Sequence, residues 1–384
     1  MSIYFCNLAA SQTIQYRDIL LTIMKSFFIG NKEICLPIIQ GGMGVGVSLS
    51  GLASAVANEG GVGVISCAGL GLLYKQDTGD YLKNCVWGLK EELRKTREKT
   101  KGVIGVNIMV ALSNFTDMVR TSITEKADII FAGAGLPLDL PSFLTPGSKT
   151  LLSPIVSSAR ATKILCEKWL TNYNYLPDAI VVEGPKAGGH LGFKKEHIED
   201  ENHSLEHLIP EIVAVASQYS DKKTIPVIAA GGISSGEDIL RLIELGAAGV
   251  QMASIFVPTN ECDASPVFKQ VYVDASQEDT KIIQSPVGMP GRAINGEFIR
   301  SVSEGNEKPK GCPYHCIKTC DYSKSPYCII RALYNAAKGN MDKGYAFAGA
   351  NAYLADKISS VKEVVTKLKD EFEMARKKVI TNNL

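Results

Sequence analysis

The stretch that decides the fold is PVIAAGGISSGEDILRLIELGAAGVQMAS, residues 226–254. It contains a short apolar run, a glycine pair, an amphipathic segment and a second apolar run. Ser235 and Asp238 have the spacing of a capping box, which predicts the start of a helix, and Gly246 is placed to end it. A strand, a helix and a strand in this order predict a βαβ unit of a parallel sheet.

Six further apolar runs lie along the chain, so that there are eight in all. Their near-continuous apolarity is typical of strands that are buried on both faces. In the stretches between these runs, apolar residues recur at the spacing of a helix. One example is the apolar stripe from Leu49 to Ala57, ahead of Gly60. The eight runs are 36–40, 63–67, 102–110, 127–132, 151–157, 179–183, 226–230 and 249–253.

Eight strand and helix alternations over roughly 230 residues match the size of a TIM-type (β/α)8 barrel. We therefore predict the α/β class and this barrel, with an open doubly wound sheet as the alternative, because sequence period does not show closure. The predicted barrel comprises residues 24–258 with 284–300, and residues 1–23 form an N-terminal extension. Residues 301–384 are predicted to form a smaller, mostly helical appendage packed on the barrel, with helices at 329–338 and 361–372.

Composition excludes several classes of partner. The 384 residues are 45% hydrophobic and 21% charged, and the formal net charge is only +1. No overall field would attract nucleic acid or an anionic membrane surface, so small molecules are the expected partners. No apolar run approaches the ~20 residues needed to span a bilayer, and the N-terminus lacks the order of a secretory signal, which predicts a cytoplasmic protein. The sequence leaves a homodimer open.

The loops after the seventh and eighth strands predict a phosphate site. Gly231 and Gly232 follow the seventh strand, and Gln251 and Ser254 lie at the end of the eighth. Barrels of this type commonly bind phosphate there, because glycines let backbone N–H groups approach the oxygens and a helix N-terminus follows. The alternative is that the two glycines only form a tight turn.

A second glycine-rich group follows the sixth strand, and it contains a histidine. Paired Gly188 and Gly189, a few residues after Glu183, allow a planar ring to lie against the backbone, and His190 is next to them. A histidine can exchange protons near neutral pH, so we predict an acid/base role rather than a structural one. The other four histidines do not lie beside paired glycines at a strand end. Three of them fall in a charged stretch and are expected to be solvated, namely His197, His203 and His207, and the fourth is His315.

The third group follows the first strand, in the string QGGMGVG at 40–46. It superficially suits a dinucleotide fingerprint, but the glycines at 60–63 lead into a strand where that fingerprint requires a helix. We predict instead that Gly42, Met43 and Gly44 present backbone amides to a cofactor at the barrel mouth. Asn107, in the third strand, offers a donor and an acceptor to a ring edge.

Taken in order, these motifs resemble the nitronate monooxygenase (2-nitropropane dioxygenase) family. The strings that carry the resemblance are PIIQGGMG at 37–44, GVN at 105–107, AGGHLG at 187–192, AAGGI at 229–233 and QMAS at 251–254. The resemblance implies FMN bound at the strand ends, and a catalytic base, His190, that activates a nitroalkane or holds a nitronate against the flavin. The implied FMN residues are Gly42, Met43, Gly44, Asn107, Glu183, Gly188, Gly189, Gly231, Gly232, Gln251 and Ser254.

Two departures leave the substrate open. Lys186 stands where the family commonly has Glu, and NIMV at 107–110 is similar to the FMN-dependent enoyl-acyl-carrier-protein reductases, a sister group. Lys186 either binds a substrate anion or is solvated, and Arg292 either contacts a substrate anion or forms a structural ion pair. The candidate functions are therefore oxidation of alkyl nitronates with O2, reduction of an enoyl thioester by NAD(P)H, and a flavin-binding sensor without turnover.

Four cysteines near the C-terminus have the spacing C-x3-C-x3-C-x7-C, namely Cys312, Cys316, Cys320 and Cys328. Four thiolates this close in sequence could bind an iron–sulfur cluster or zinc, although the spacing is not the C-x2-C of a zinc finger. The alternative is a set of reduced thiols without a metal.

Overall fold

The computed structural model describes residues 24–75 and 79–382, so the predicted extension 1–23 lies outside the described residues. Eight parallel strands close into a barrel, as predicted, and adjacent strands are paired all the way round. The barrel strands are β3 (Ile38–Gln40), β4 (Val62–Ser66), β5 (Val103–Met109), β6 (Ile129–Gly133), β7 (Leu151–Val156), β8 (Ile180–Glu183), β10 (Val227–Ala230) and β11 (Gly249–Met252). Each lies on one of the eight apolar runs.

A β-hairpin that the sequence did not reveal closes the N-terminal end of the barrel. It comprises β1 (Phe27–Ile29) and β2 (Lys32–Ile34), which pair antiparallel. Ile29 and Ile34 are fully buried and belong to the cluster of side chains that fills the barrel interior. Because this end is sealed, the open end is the one where the strands finish.

Helices are present at each of the places where the sequence predicts one, and the last helix extends to Asn382 instead of ending at residue 372. The capping box of Ser235 and Asp238 is present at the helix after β10. The helices are α1 (Ser50–Asn58), α2 (Leu70–Leu73), α3 (Tyr81–Lys99), α4 (Phe115–Thr124), α5 (Ala159–Tyr173), α6 (Leu205–Ser217), α7 (Gly236–Glu244), α8 (Pro266–Asp274), α9 (Glu297–Ser303), α10 (Ile329–Ala337) and α11 (Val361–Asn382).

The last helix, α11, completes the ring around the barrel. It packs against α7 and against α1, which follow β10 and β3. Leu368 and Phe372 of α11 are fully buried in the main core. Gly236 makes this packing close, since a Cβ at that position would lie 2.1 Å from the backbone nitrogen of Phe372. The division at residue 301 remains a prediction, and α11 contributes to the barrel core.

The chain between β11 and α10 adds a second sheet at the open end. Strands β12 (Thr280–Gln284) and β13 (Pro290–Ile294) form an antiparallel pair, and β13 also pairs with the short β9 (Gly189–His190). The predicted histidine is thus held in a sheet beside the barrel mouth. In the described part of the chain, no helix is both long enough and apolar enough to cross a membrane.

Candidate active site

A cavity of about 1520 Å³ opens at the carboxyl ends of the barrel strands. Twelve of the predicted site residues line it, drawn from five different strand ends. They are Gly42, Met43, Gly44, Asn107, Glu183, Gly188, Gly189, His190, Gly231, Gly232, Gln251 and Ser254. Parallel strands bring their ends to one face of a barrel, which is why motifs far apart in sequence meet here.

The floor of the cavity is set by β3, β4 and β5. Asn107 pairs in register with Ser66 of β4, and its carbonyl accepts a hydrogen bond from the Cys67 amide at 3.0 Å. Its side chain lines the cavity beside Gly42 and Met43. The side-chain amide of Asn107 therefore offers a donor and an acceptor next to the backbone of Gly42. This arrangement leaves room for a flat ring system.

The loops after β10 and β11 carry the residues for which the sequence predicts a phosphate site, and they line the cavity. Gly231 and Gly232 have φ angles of +106° and +75°, which only glycine adopts readily. Asn351 braces this turn, because its Nδ2 donates to the Gly232 carbonyl at 2.6 Å. Across the cavity, the Ser254 hydroxyl oxygen accepts from the Gly349 amide at 2.9 Å, so its proton is free to donate to an anion.

The N-terminus of α7 contributes less to this predicted phosphate site than the sequence suggested. Asp238 accepts from the amides of Ser234 and Ser235 at 3.0 and 3.2 Å, and Glu371 of α11 accepts from the Gly236 amide at 2.9 Å. These amides are already satisfied by carboxylates. They are therefore not available to an anion in the cavity.

His190 is fixed at the cavity wall by three contacts. Its backbone pairs with Gly291 of β13, and its Nε2 shares a hydrogen bond of 2.7 Å with Ser285 Oγ. The Phe347 ring packs edge-on against the imidazole, with ring centroids 5.0 Å apart. Burial lowers the pKa of His190 to about 4, so the imidazole is neutral at pH 7 and one ring nitrogen carries an unprotonated lone pair.

Glu183 is a second titratable group in the cavity, at the end of β8. Burial raises the pKa of its carboxyl group to about 7, well above the ordinary value. The sequence predicted a cofactor-binding role for Glu183, and its titration near neutral pH is an additional property. Ionisation of this residue adds a negative charge beside any bound anion.

We expect Glu183→Gln to stabilise the fold at alkaline pH only. The native carboxyl group holds its proton between pH 4.5 and about 7, where the unfolded chain has lost it, so the free energy of unfolding falls across this window. Removing the titration should raise that free energy by on the order of 2 kcal/mol at pH 8 and leave it nearly unchanged at pH 4. Urea unfolding at both pH values measures this.

The matched control is Glu98→Gln, at an exposed position on α3. We expect its unfolding midpoint to follow that of the parent chain at both pH values. An equal shift for Glu183→Gln at pH 4 and pH 8 would rule out titration of Glu183 as the cause.

The two candidate substrate cations lie away from the cavity wall. Lys186 is exposed, and its carbonyl accepts from the Ala350 amide at 3.0 Å. Arg292 is buried, and its Nη2 donates to the Pro185 carbonyl at 2.9 Å, whereas its Nε has no hydrogen-bond partner among the described residues. Burial lowers the pKa of Arg292, and the charge of Glu199 raises it in part. Arg292 holds the loop that leads into β9.

Other residues of the site were missed from sequence. His197 and His203 were expected to be solvated, but they line the cavity and stack on each other with centroids 4.3 Å apart. His203 also contacts Asp200 through Nδ1 at 3.0 Å. Ser285 had no local motif that pointed to it, because its contact with His190 depends on the pairing of β9 with β13.

The four C-terminal cysteines lie outside the cavity wall. Cys316 is buried and the other three are half-buried. Among the described residues, no three His, Cys, Asp or Glu side chains are arranged to hold a metal ion. The metal prediction therefore stays a prediction at this point.

Comparison with known proteins assigns the family. The sequence profile described as nitronate monooxygenase matches residues 25–130 and 89–371. The chain belongs to the nitronate monooxygenase family. A probable nitronate monooxygenase of this family from Staphylococcus aureus (strain Newman) is 28% identical over 297 residues, which cover 70% of this chain and 78% of that protein. The chain described here, as a member of this family, is an oxidoreductase enzyme.

Solved structures agree on the fold. FabK from Thermotoga maritima has a TM-score of 0.68 and 27% identity, covering 89% of this chain and 94% of that one. A nitroalkane oxidase from Streptomyces ansochromogenes has a TM-score of 0.67 at 20% identity, covering 90% and 97%. At 20% identity, the similarity to the nitroalkane oxidase shows the fold alone.

Proposed function

We propose that this nitronate monooxygenase family member uses FMN, bound in the cavity at the barrel mouth. The residues present suit that cofactor: the turn at 231–233 and Ser254 would hold the phosphate, and Asn107 with Gly42 and Met43 would hold the ring system. Bound FMN would supply the electron transfer that no side chain here can perform. The ends of the barrel strands carry these residues, so the barrel holds them at one mouth.

We propose that the reaction is the oxidation of an alkyl nitronate with O2. The observation that carries the proposal is a neutral, half-buried histidine fixed against a glycine-lined cavity. At pH 7 the imidazole can accept a proton from the acidic carbon beside a nitro group, which generates the nitronate inside the site. In the tautomer that acts as a base, His190 Nε2–H donates to Ser285 Oγ, and Nδ1 carries the free lone pair.

Oxygen consumption tests this function directly. The parent chain, loaded with FMN, should consume O2 with propionate 3-nitronate in the absence of any nicotinamide. Absence of uptake, together with NAD(P)H consumption that depends on a crotonyl thioester, would replace this function with that of the sister group. Loading with FMN is measured first, so that a lost cofactor is not mistaken for a lost activity.

Ser285 should act by positioning His190, and not by contact with substrate. Ser285→Ala removes the partner of Nε2, so the imidazole is free to rotate and to change tautomer, and we expect kcat to fall about tenfold. FMN content should be unchanged. Ser285→Thr keeps the hydroxyl group and should recover most of the activity. A loss that Thr does not rescue, with an unchanged pH profile, would indicate a packing role only.

One observation favours the enoyl thioester reductase as the second candidate. The cavity of about 1520 Å³ exceeds the range of ~300–1,000 Å³ typical of small-molecule sites. FMN with a small nitronate would leave much of it empty, whereas an acyl thioester would extend into it. His197, His203 and Lys194 line its outer part and could contact anionic groups of such a substrate. The crotonyl thioester assay above distinguishes the two.

A further inference from the structure

The segment 191–204, which begins directly after His190, separates its charged side chains between the cavity and the solvent. Its cavity-lining side chains that bear a cationic or imidazole group are those of Lys194, His197 and His203. The segment also contains four acidic residues, all within the described residues, and none of them lines the cavity: Glu196, Glu199, Asp200 and Glu201. An acid-rich stretch thus presents only basic and imidazole groups to the cavity.

Buried apolar side chains fix the position of this segment. Leu191, Phe193 and Ile198 are buried in the main core. The segment also passes close to the loop that follows β7, since a Cβ at Gly192 would lie 2.5 Å from the Ser157 hydroxyl oxygen. The cavity-lining side chains are therefore carried by a backbone that the core holds in place, and not by a free surface loop.

The two imidazoles of the segment form an ordered stack. The rings of His197 and His203 are nearly parallel, with an angle of 14° and centroids 4.3 Å apart. The Phe193 ring packs edge-on against His203 at 5.9 Å. These contacts fix both imidazole planes at the cavity wall, although the sequence predicts that both histidines are solvated.

Asp200 sets the role of each ring nitrogen in His203. Nδ1 of His203 lies 3.0 Å from Asp200 Oδ2, and the Asn202 amide donates to Asp200 Oδ1 at 3.1 Å. The hydrogen bond from the Asn202 amide holds the pKa of Asp200 below its ordinary value, so the carboxylate is ionised at pH 7. It therefore accepts from Nδ1–H of His203, which leaves Nε2 for a ligand in the cavity.

Lys194 brings a permanent positive charge to the same part of the wall. Its ion pair with Glu196 is exposed and long, with 4.0 Å between Nζ and Oε1. Such a pair contributes little, so the ammonium group can serve a ligand without loss of a strong contact.

We propose that Lys194, His197 and His203 form a binding site for an anionic group, a carboxylate or a phosphate, at the distal end of the substrate. This inference rests on the proposed function, because the reacting end of that substrate lies at His190 and FMN. As the anion binds, His203 takes up one proton from solvent. The imidazolium then donates from Nε2 to the anion and from Nδ1 to Asp200, and no other bond is made or broken. The site selects substrates with a charged tail over those with an uncharged one.

Isothermal titration calorimetry of the FMN-loaded chain tests the proposal with two pairs of ligands. Succinate and butanoate share a carboxylate that stands in for the planar nitronate group, and only succinate carries a second anion. Crotonyl coenzyme A and crotonyl N-acetylcysteamine share the thioester, and only the first carries phosphates. Neither thioester is reduced, because no nicotinamide is added.

We expect the parent to bind the charged-tail member of one pair about tenfold more tightly than its partner. His203→Asn should reduce this preference to about twofold or less, while the affinity for the uncharged-tail partner stays within about twofold of the parent. Lys194→Ala, at an exposed position where truncation leaves the core intact, should reduce the preference about threefold. His207→Asn is the matched control, since His207 is exposed and lies outside the cavity wall, and it should keep the full preference.

The pair that loses its preference identifies the anion: succinate indicates a carboxylate, and crotonyl coenzyme A indicates a phosphate. A parent chain without preference in either pair would overturn the proposal. An equal loss of affinity for both members of a pair in His203→Asn would also overturn it, because the stack would then have a packing role only. FMN content and circular dichroism establish that each variant is folded. The heats require no turnover, so a failure of the oxygen assay contradicts the proposed function and leaves this result intact.

Discussion

His190→Ala lowers turnover of a neutral nitroalkane by about two to four orders of magnitude, the contribution that a positioned general base makes. The imidazole is neutral at pH 7, because burial lowers its pKa to about 4, and it is held by Ser285 and Phe347. Alanine leaves the proton of the nitroalkane without an acceptor.

The same variant should lose much less activity with a nitronate prepared in advance. A pre-formed nitronate has already lost its proton, so only the contribution of His190 to binding is removed. Steady-state oxygen uptake with nitroethane and with ethyl nitronate, at equal FMN content, measures the difference. If both substrates lose activity equally, His190 holds the anion and is not the base. If nitroethane turnover stays within about threefold of the parent, His190 has no catalytic role.

Gly236→Ala should destabilise the fold by about 2 kcal/mol or more. Alanine is the better helix former by about 1 kcal/mol, so propensity alone predicts the opposite sign. The clash with α11 outweighs the gain in helix propensity. The new Cβ would lie 2.1 Å from the Phe372 nitrogen and 2.3 Å from the Leu368 carbonyl oxygen. Both are backbone atoms, so α11 must move away from α7, and the Glu371 bond to the Gly236 amide is lost.

Gly296→Ala is the matched control for this variant. A Cβ at Gly296, next to α9, meets nothing within 4 Å. We expect the change there to cost less than about 1 kcal/mol. Urea unfolding followed by circular dichroism compares the two variants. A Gly236→Ala chain as stable as the parent would show that close packing of α11 on α7 does not contribute to stability.

The barrel could be predicted because its signal is local and repeated. Each apolar run and each glycine at a strand end can be recognised within a few residues of sequence. The capping box of Ser235 and Asp238 predicts the start of a helix without any other part of the chain. The twelve cavity residues followed from the same signal, since the fold brings all strand ends together. The order and spacing of the motifs along the chain were sufficient to predict that these residues lie together.

What the sequence did not reveal depends on contacts between distant segments. Ser285 reaches His190 only because β9 pairs with β13, and Glu371 accepts from the Gly236 amide of α7 only because α11 returns to the barrel. The stacking of His197 on His203 needs two turns of one irregular loop to meet. No local period or cap encodes such pairings, so a correct count of strands leaves them undetermined.

The most direct test of the central claim is a titration of the flavin-free chain with FMN, followed by flavin fluorescence. We predict one FMN per chain, with a dissociation constant in the micromolar range or tighter, ~−8 kcal/mol or better. Ser254→Ala should weaken this binding by about tenfold through loss of one hydrogen bond to an anion. A chain that remains folded but takes up no FMN, even at concentrations far above this range, would contradict the account.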